Sequence, residues 1–276
     1  MNKENLQLMQ IKDEKGNIIS WDYNEFPDKQ VQIKIHKDFI KYDIFNDNFE
    51  THLNVKVSLA NPVILDLFKQ LCYSFSVNHV TVNYLYGARC DKYESGDYWV
   101  GEVASEILEY LQRTVSYQVI APHCFELMAK HKYNFTLPDC IDLDNYDLIV
   151  YPDESAQKRF SYLDKKYIVC EKHRDQETGK ILSHNIPNID ESTKKVLLLD
   201  DLCDGGATFI AVNDVLPEYT KSDLFIFHGV FSNNALSRLL QKFDNIIVTN
   251  SLPYPAEQKL LLSDFDEDRV KIVNLW

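Results

Sequence analysis

The stretch Val196 to Phe209, VLLLDDLCDGGATF, constrains this chain more than any other. Its first four residues, Val196 to Leu199, have the continuous apolar character of a strand covered on both faces. Asp200 and Asp201 follow at the carboxyl end, where open α/β sheets place their ligands. Asp204, Gly205, Gly206, Ala207 and Thr208 then make a glycine turn into a helical segment. Glycines at such a turn let backbone N–H groups approach a phosphate closely at the start of a helix. Paired acids suit the vicinal hydroxyls of a ribose, so the stretch fits a ribose that carries a phosphate. The plainer reading is a strand, turn and helix whose acids cap the helix. Two adjacent acids, a third acid and a closing Gly-Gly-Ala-Thr form a more specific pattern than a cap requires. Only eight glycines occur in 276 residues, which makes the adjacent pair stand out.

The rest of the chain supplies a sheet for that strand. Apolar runs expected as strands lie at Val80–Tyr86, Tyr117–Ala121, Asp147–Tyr151, Tyr167–Cys170, Leu224–Val230, Ile246–Thr249 and Val270–Val273, with helical stretches fitting between several of them. This alternation predicts parallel sheets built from βαβ units. Residues up to about Lys56 instead alternate apolar and polar positions, as in VQIKI at Val31–Ile35, with a turn signal at Lys15-Gly16-Asn17, and read as a β-rich section. Asn61 and Pro62 give a helix start, and Val63, Ile64, Leu67, Phe68, Leu71, Cys72 and Phe75 recur at helical spacing. Arg174 to Thr193, rich in polar residues, reads as an exposed hairpin or loop.

Composition excludes some functions. A formal charge of -13 argues against a general binder of nucleic acid or membrane surfaces, which rely on basic patches. The six cysteines, at 72, 90, 124, 140, 170 and 203, have neither paired metal-ligand spacing nor the density of a secreted disulfide scaffold. Reduced thiols in cytoplasm are expected. MNKENLQLMQ lacks the apolar core of a signal peptide, and no apolar run approaches bilayer length. With 45% hydrophobic residues, a chain of this length is expected to form two domains.

Several motifs, in order, carry a family resemblance. LFIFHGVFSNNALSRLL, followed by NIIVTNSLP at Asn245–Pro253, resembles the segment after the phosphate loop in phosphoribosyl pyrophosphate synthetases. LYGARCDK at Leu85–Lys92 is similar to a nucleotide-binding segment of that family, APH at Ala121–His123 to a metal-proximal histidine motif, YPDESA at Tyr151–Ala156 to a Pro-Asp-Ala-Gly-Gly turn, and CEKHR at Cys170–Arg174 to an Asp-Lys-Arg-Arg segment. The resemblance runs from about Phe26 onward. It implies an α/β fold of two phosphoribosyltransferase-like domains, with parallel sheets flanked by helices and the β-rich section at the N-terminus. An ATP-binding domain is expected over 1–138, with a C-terminal strand at about 264–276 returning to it, and a ribose-phosphate domain over 139–263.

The implied reaction moves the β,γ-pyrophosphoryl group of ATP to the anomeric hydroxyl of a ribose 5-phosphate moiety and releases AMP, with Mg²⁺ as cofactor. Lys172 and Arg174 match the catalytic Lys and Arg, whose fixed charge suits a phosphoryl-transfer transition state; on composition alone they read as a solvated pair at a strand end. His123 and Asp153 match positions associated with Mg²⁺ and the nucleotide phosphates. Arg89 and Asp91 are expected to serve ATP, or else to form a local salt bridge. Phe26, Asp28 and Gln30, in EFPDKQ, resemble a Phe-Ser-Asp-Gly-Glu segment with which a neighbouring subunit contacts adenine, which implies a homodimer or higher homo-oligomer. Asp200, Asp201, Asp204, Gly205, Gly206, Ala207 and Thr208 are the expected ribose-phosphate residues.

The chain departs from the family pattern at the acceptor. Gly205 stands where synthetases usually carry Thr, and Glu154, Ser155 and Ala156 replace Ala-Gly-Gly. A terminal phosphate wants a closed cup of donors, whereas a phosphate continuing into ADP needs an opening. Ribose 5-phosphate and ADP-ribose are therefore both expected acceptors, the second giving ADP-ribose pyrophosphate in NAD⁺ salvage. A phosphoribosyltransferase would share the Asp200–Thr208 loop without the Lys172, Arg174 and His123 series. A non-catalytic regulator associated with a synthetase would keep the fold and lose the basic pair.

Overall fold

The computed structural model describes residues 3–35, 42–43, 48–49, 52–87, 103–123, 131–174, 181–262 and 264–276. They form two compact units, Met1–Asn134 with Trp276, and Phe135–Leu275. No helix among the described residues is long and apolar enough to cross a membrane.

The first unit has ten strands and two α-helices in the described residues: β1 (Met9–Lys12), β2 (Ile18–Ile19), β3 (Trp21–Glu25), β4 (Val31–Ile35), β5 (Tyr42–Asp43), β6 (Asn48–Phe49), β7 (Leu53–Ser58), α1 (Pro62–Ser74), β8 (Val77–Tyr84), α2 (Val103–Thr114), β9 (Ser116–Ile120) and β10 (Tyr133–Asn134). The main sheet has the order β10-β9-β8-β7-β1-β2. Strands β7 to β10 run parallel, while β1 and β2 add antiparallel edges. Helix α1 starts as expected: the Asn61 side chain accepts a hydrogen bond from Ile64 N at 3.1 Å, Pro62 opens the first turn, and Ile64, Leu67, Phe68 and Leu71 are buried. The β-rich beginning arises because short alternating runs there form hairpins. One is the β3–β4 hairpin, whose strands pair from Trp21 with Ile35 to Glu25 with Val31.

The second unit contains β11 (Leu148–Tyr151), α3 (Glu154–Arg159), β12 (Tyr167–Val169), β13 (Glu171–Arg174), β14 (Ile181–Asn185), β15 (Lys195–Cys203), α4 (Ala207–Asn213), β16 (Lys221–Gly229), α5 (Ala235–Leu240), β17 (Asn245–Thr249), α6 (Tyr254–Lys259), α7 (Asp264–Glu267) and β18 (Val270–Val273). Its sheet, β12-β11-β15-β16-β17-β18, is parallel throughout. Val196–Leu199 are fully buried at its centre, which accounts for the unbroken apolar run. Strands β13 and β14 form a separate antiparallel hairpin, of which β14 lies within the Arg174–Thr193 stretch expected to be a hairpin or loop, while β13 precedes it and ends at Arg174.

The C-terminal strand corrects an expectation. Val270–Val273 do not return to the first unit but pair in parallel with β17, Ile246 opposite Val270 through Thr249 opposite Val273. Asn250 fixes them there. Its N–H donates to Val273 O at 2.9 Å, its side-chain amide donates to Asn274 Oδ1 at 2.8 Å, and its Oδ1 accepts from Leu275 N at 2.8 Å. Within the expected 264–276 segment, Trp276 alone is grouped with the first unit.

Candidate active site

Strand β15 continues past the apolar run to Cys203, so Asp200 and Asp201 lie in its last turn of pleat rather than after it. Consecutive strand residues face opposite sides, yet both carboxylates meet one cation. Arg159 Nη1 lies 3.2 Å from Asp201 Oδ1 and 3.9 Å from Asp200 Oδ1, and the guanidinium is almost wholly buried. Asp200 Oδ1 also accepts from Asp201 N at 2.8 Å. Burial pushes the Asp200 carboxyl well above the usual range, with the Asp201 and Asp153 carboxylates adding to the rise and Arg159 opposing it.

Arg159 is the residue that sequence reasoning missed. It ends α3, a single short helix capped by Asp153, whose Oδ1 accepts from Ala156 N at 2.9 Å. The next residue, Phe160, is buried and stacks on Tyr151 and Phe227, with ring centroids 6.4 and 6.1 Å away. That aromatic stack holds the end of α3 in place. Because β11, which leads into α3, pairs with β15, the arginine reaches the paired acids from the neighbouring crossover.

The glycine turn has the local conformation its sequence demands. Gly206 has φ 75° and ψ −2°, the left-handed region, and immediately precedes α4. A Cβ there would also lie 3.2 Å from the Leu239 side chain. Arg238 on α5 donates to Gly205 O at 2.7 Å, and Cys203 O accepts from Val230 N and Phe231 N at 2.8 and 3.2 Å. The loop after β16 is thus fastened to the glycine turn. Within it Phe231, Asn233 and Asn234 all have φ between 49° and 55°. Asn tolerates this conformation, but a buried Phe adopts it only when its surroundings enforce it.

The two downstream segments that carried the resemblance come together. His228 Nδ1 lies 2.8 Å from Ser251 Oγ, and Thr249 Oγ1 and Ser251 Oγ both donate to Phe227 O, at 2.5 and 3.1 Å. HGVF and VTNSLP therefore brace the carboxyl ends of β16 and β17. Gly229 is required by packing, since a Cβ would lie 2.5 Å from the Phe231 ring.

The remaining expected residues are placed as follows. Lys172 and Arg174 are on β13, opposite His184 and Ile181 of β14, with their side chains outside the described residues. Arg89 and Asp91 lie outside the described residues. His123 is half-buried and follows β9, just after Ala121, which has φ 42°. Since β8 and β9 are parallel neighbours, His123 and the segment leading toward Arg89 leave the same edge of the first sheet. Phe26, Asp28 and Gln30 form the tip of the β3–β4 hairpin. Phe26 N donates to Gln30 O at 2.8 Å, Asp28 Oδ1 accepts from Gln30 N at 3.2 Å, and the Phe26 side chain is 45% exposed. Gln70 of α1 fastens this hairpin, accepting from Ile33 N at 3.1 Å and donating to Val31 O at 2.7 Å. Among the described residues no group of three or more His, Cys, Asp or Glu side chains is arranged to hold a metal ion.

No family model matches the chain. It is 27% identical over 241 residues to a ribose-phosphate pyrophosphokinase of Thermoplasma acidophilum, covering 82% of each chain. A ribose-phosphate pyrophosphokinase of Thermoplasma volcanium is 26% identical over 245 residues, covering 84% of this chain and 83% of that one. In fold, the chain matches phosphoribosylpyrophosphate synthetase from Mycobacterium smegmatis with a TM-score of 0.67 at 16% identity, over 95% of this chain and 88% of the other. Over four-fifths of its length the chain is thus similar in sequence to ribose-phosphate pyrophosphokinases, and over nearly all of it the fold is that of a phosphoribosylpyrophosphate synthetase.

Proposed function

We propose that the protein is an ATP-dependent pyrophosphokinase acting on a ribose that carries a 5-phosphate. The anomeric oxygen attacks the β-phosphorus of ATP, the bond from that phosphorus to the α,β-bridging oxygen breaks, AMP leaves, and the sugar hydroxyl loses its proton. The observation that carries this reading is the Asp200–Asp201 pair, Asp201 buried and Asp200 partly so, running into the Gly206 turn within a fold shared with such synthetases. The acids would hold the ribose hydroxyls. Backbone N–H groups from Asp204 to Thr208 would receive the phosphate. Lys172 and Arg174 would stabilise charge on the transferred group, and Arg89, Asp91 and His123 would serve the nucleotide. The exposed Phe26 at its hairpin tip suits contact with adenine bound to another copy, which calls for a homo-oligomer.

Mg²⁺ fits this site as a companion of the substrates. A preformed cage is not what Mg²⁺ needs, because it usually takes one or two carboxylates together with substrate phosphates. Asp153 and the Asp200–Asp201 pair bring three carboxylates into one another's field with Arg159 opposing them, which leaves room for further positive charge. Asp153 would hold the ion, and its contribution would be neutralisation of the triphosphate.

Both acceptors remain in this reading. Gly205 keeps ADP-ribose beside ribose 5-phosphate, since nothing in its backbone or packing requires a glycine and position 205 itself offers no hydroxyl to close around a terminal phosphate. The test is mass-spectrometric product analysis with Mg²⁺, ATP and each sugar in parallel. AMP with a pyrophosphorylated sugar is the expected outcome, and the productive tube names the acceptor. Absence of AMP from folded protein that binds ATP would overturn the enzymatic reading in favour of a regulatory one.

A further inference from the structure

The glycines around the turn have different reasons for being there. Gly206 is conformational and Gly229 is steric. Gly205 is neither: its φ lies outside the left-handed region, and the nearest atom to a Cβ built on it would be Ser232 Oγ, at 3.7 Å, an ordinary contact. A side chain is allowed at 205 and absent. A hydroxyl on residue 205 and the hydroxyl of Ser232 would reach for the same space.

Ser232 is held in that space deliberately. Its neighbours Phe231, Asn233 and Asn234 are all left-handed, and Phe231 is completely buried. The turn is pinned on both sides, by Cys203 O accepting from Val230 N and Phe231 N and by the Gln258 side chain donating to Phe231 O. Arg238 ties the same region to Gly205 O. Backbone strain persists only where its surroundings over-determine it, and such strain clusters at ligand clamps. Among the described residues the Ser232 hydroxyl has no hydrogen-bond partner, and it is half-buried beside the phosphate turn.

We propose that the Ser232 hydroxyl is a specificity-determining donor to the phosphate of the acceptor sugar, replacing from the adjacent loop the side chain that Gly205 lacks. This rests on the pyrophosphokinase reading for the identity of the ligand.

The experiment compares steady-state KM values for acceptor and for ATP in wild type, Ser232→Ala and the double variant Gly205→Ser/Ser232→Ala, with ribose 5-phosphate and ADP-ribose as acceptors. Loss of a hydrogen bond to a charged phosphate should raise the acceptor KM of Ser232→Ala about tenfold while leaving the ATP KM unchanged. The double variant should recover most of the loss, because the new hydroxyl enters the same space. An unchanged acceptor KM, or an equal rise for ATP, would overturn the assignment. If Ser232→Ala melts early, Ser232→Thr carries the test: a retained acceptor KM supports the role of the hydroxyl, and a rise like that of alanine refutes it. If wild type releases no AMP with either sugar, the reaction reading fails by itself, and calorimetric titration with ribose 5-phosphate then decides. Weaker binding by Ser232→Ala supports the donor, whereas equal or absent binding overturns it.

Discussion

The two ends of the second sheet both bury acids, and they treat them differently. At the amino end, Asp223 is buried under three partners. Tyr146 Oη donates to its Oδ2 at 2.9 Å, Lys195 Nζ lies 2.8 Å from the same oxygen, and Asn245 Nδ2 donates to Oδ1 at 2.7 Å. Lys195 also sits over the Tyr146 ring, 4.8 Å from its centroid, which ties two of these partners to each other. Nearby, Asp147 Oδ2 accepts from the backbone N–H groups of Lys194 and Lys195 at 2.8 and 2.9 Å, which hold its carboxyl below the usual range. At the carboxyl end, by contrast, Asp200 and Asp201 share Arg159, and Asp200 is pushed upward. The first arrangement satisfies charge within the protein. The second leaves a site better suited to a bound ligand than to the empty fold, as expected where function and stability compete.

If this division is real, the largest effect on stability should come from the amino end. Asp223→Ala removes one partner of a buried charge cluster and leaves Lys195 and the Tyr146 hydroxyl without their acceptor, a change that costs about 3–5 kcal/mol. Urea unfolding should show a correspondingly lower midpoint with little change in slope. A loss near zero would break the comparison, because the cluster would then be ornamental.

Lys172→Ala should do the reverse. Under the proposed mechanism it removes charge stabilisation from the transition state, so AMP formation should fall by roughly 10²–10³-fold, the range seen for single electrostatic groups. Thermal stability should stay at the wild-type value. Unchanged turnover would remove Lys172 from the mechanism.

How much of this was legible in the sequence depends on how local each feature is. The Val196–Leu199 strand and the Gly206 turn were readable because an unbroken apolar run and a left-handed glycine are properties of a few consecutive residues. So was the N-cap at Asn61. Sheet order was not, since periodicity marks a strand without naming its neighbour. The last strand was expected in the first unit, but side-chain hydrogen bonds from Asn250, invisible to any pattern, keep it beside β17. Arg159 was missed for a related reason. In ESAQKR it reads as one of two basic residues ending an exposed helix, and only the adjacency of β11 and β15 turns it toward the acids. Ser232 left a trace in the pair of asparagines after it, since consecutive asparagines suit left-handed backbone.

The smallest effect is the sharpest test of the comparison, because its sign is unusual. Asp200→Asn keeps the shape of the side chain and removes a carboxylate that burial, Asp201 and Asp153 all make unfavourable. A carboxyl raised in the folded state binds more protons there than in the unfolded chain, so its contribution to stability is fully present below the unfolded value of about 4 and is lost as pH rises through the higher folded value. Wild type and variant should therefore melt together in acid. Toward neutral pH the variant should become the more stable by about 0.5–2 kcal/mol, the ordinary size of a gain from relieving an active-site group. Some of that gain is offset by weaker pairing with Arg159, which is why it stays modest. Melting temperatures of both proteins measured from acid to neutral pH, with acceptor turnover assayed alongside, would decide. A variant that is less stable at neutral pH, or equally displaced at every pH, would mean that Asp200 is as well satisfied as Asp223 and that the two ends of the sheet do not differ in kind. A variant that gains stability with rising pH while losing turnover would tie the unfavourable charge at the carboxyl end directly to the binding of the sugar.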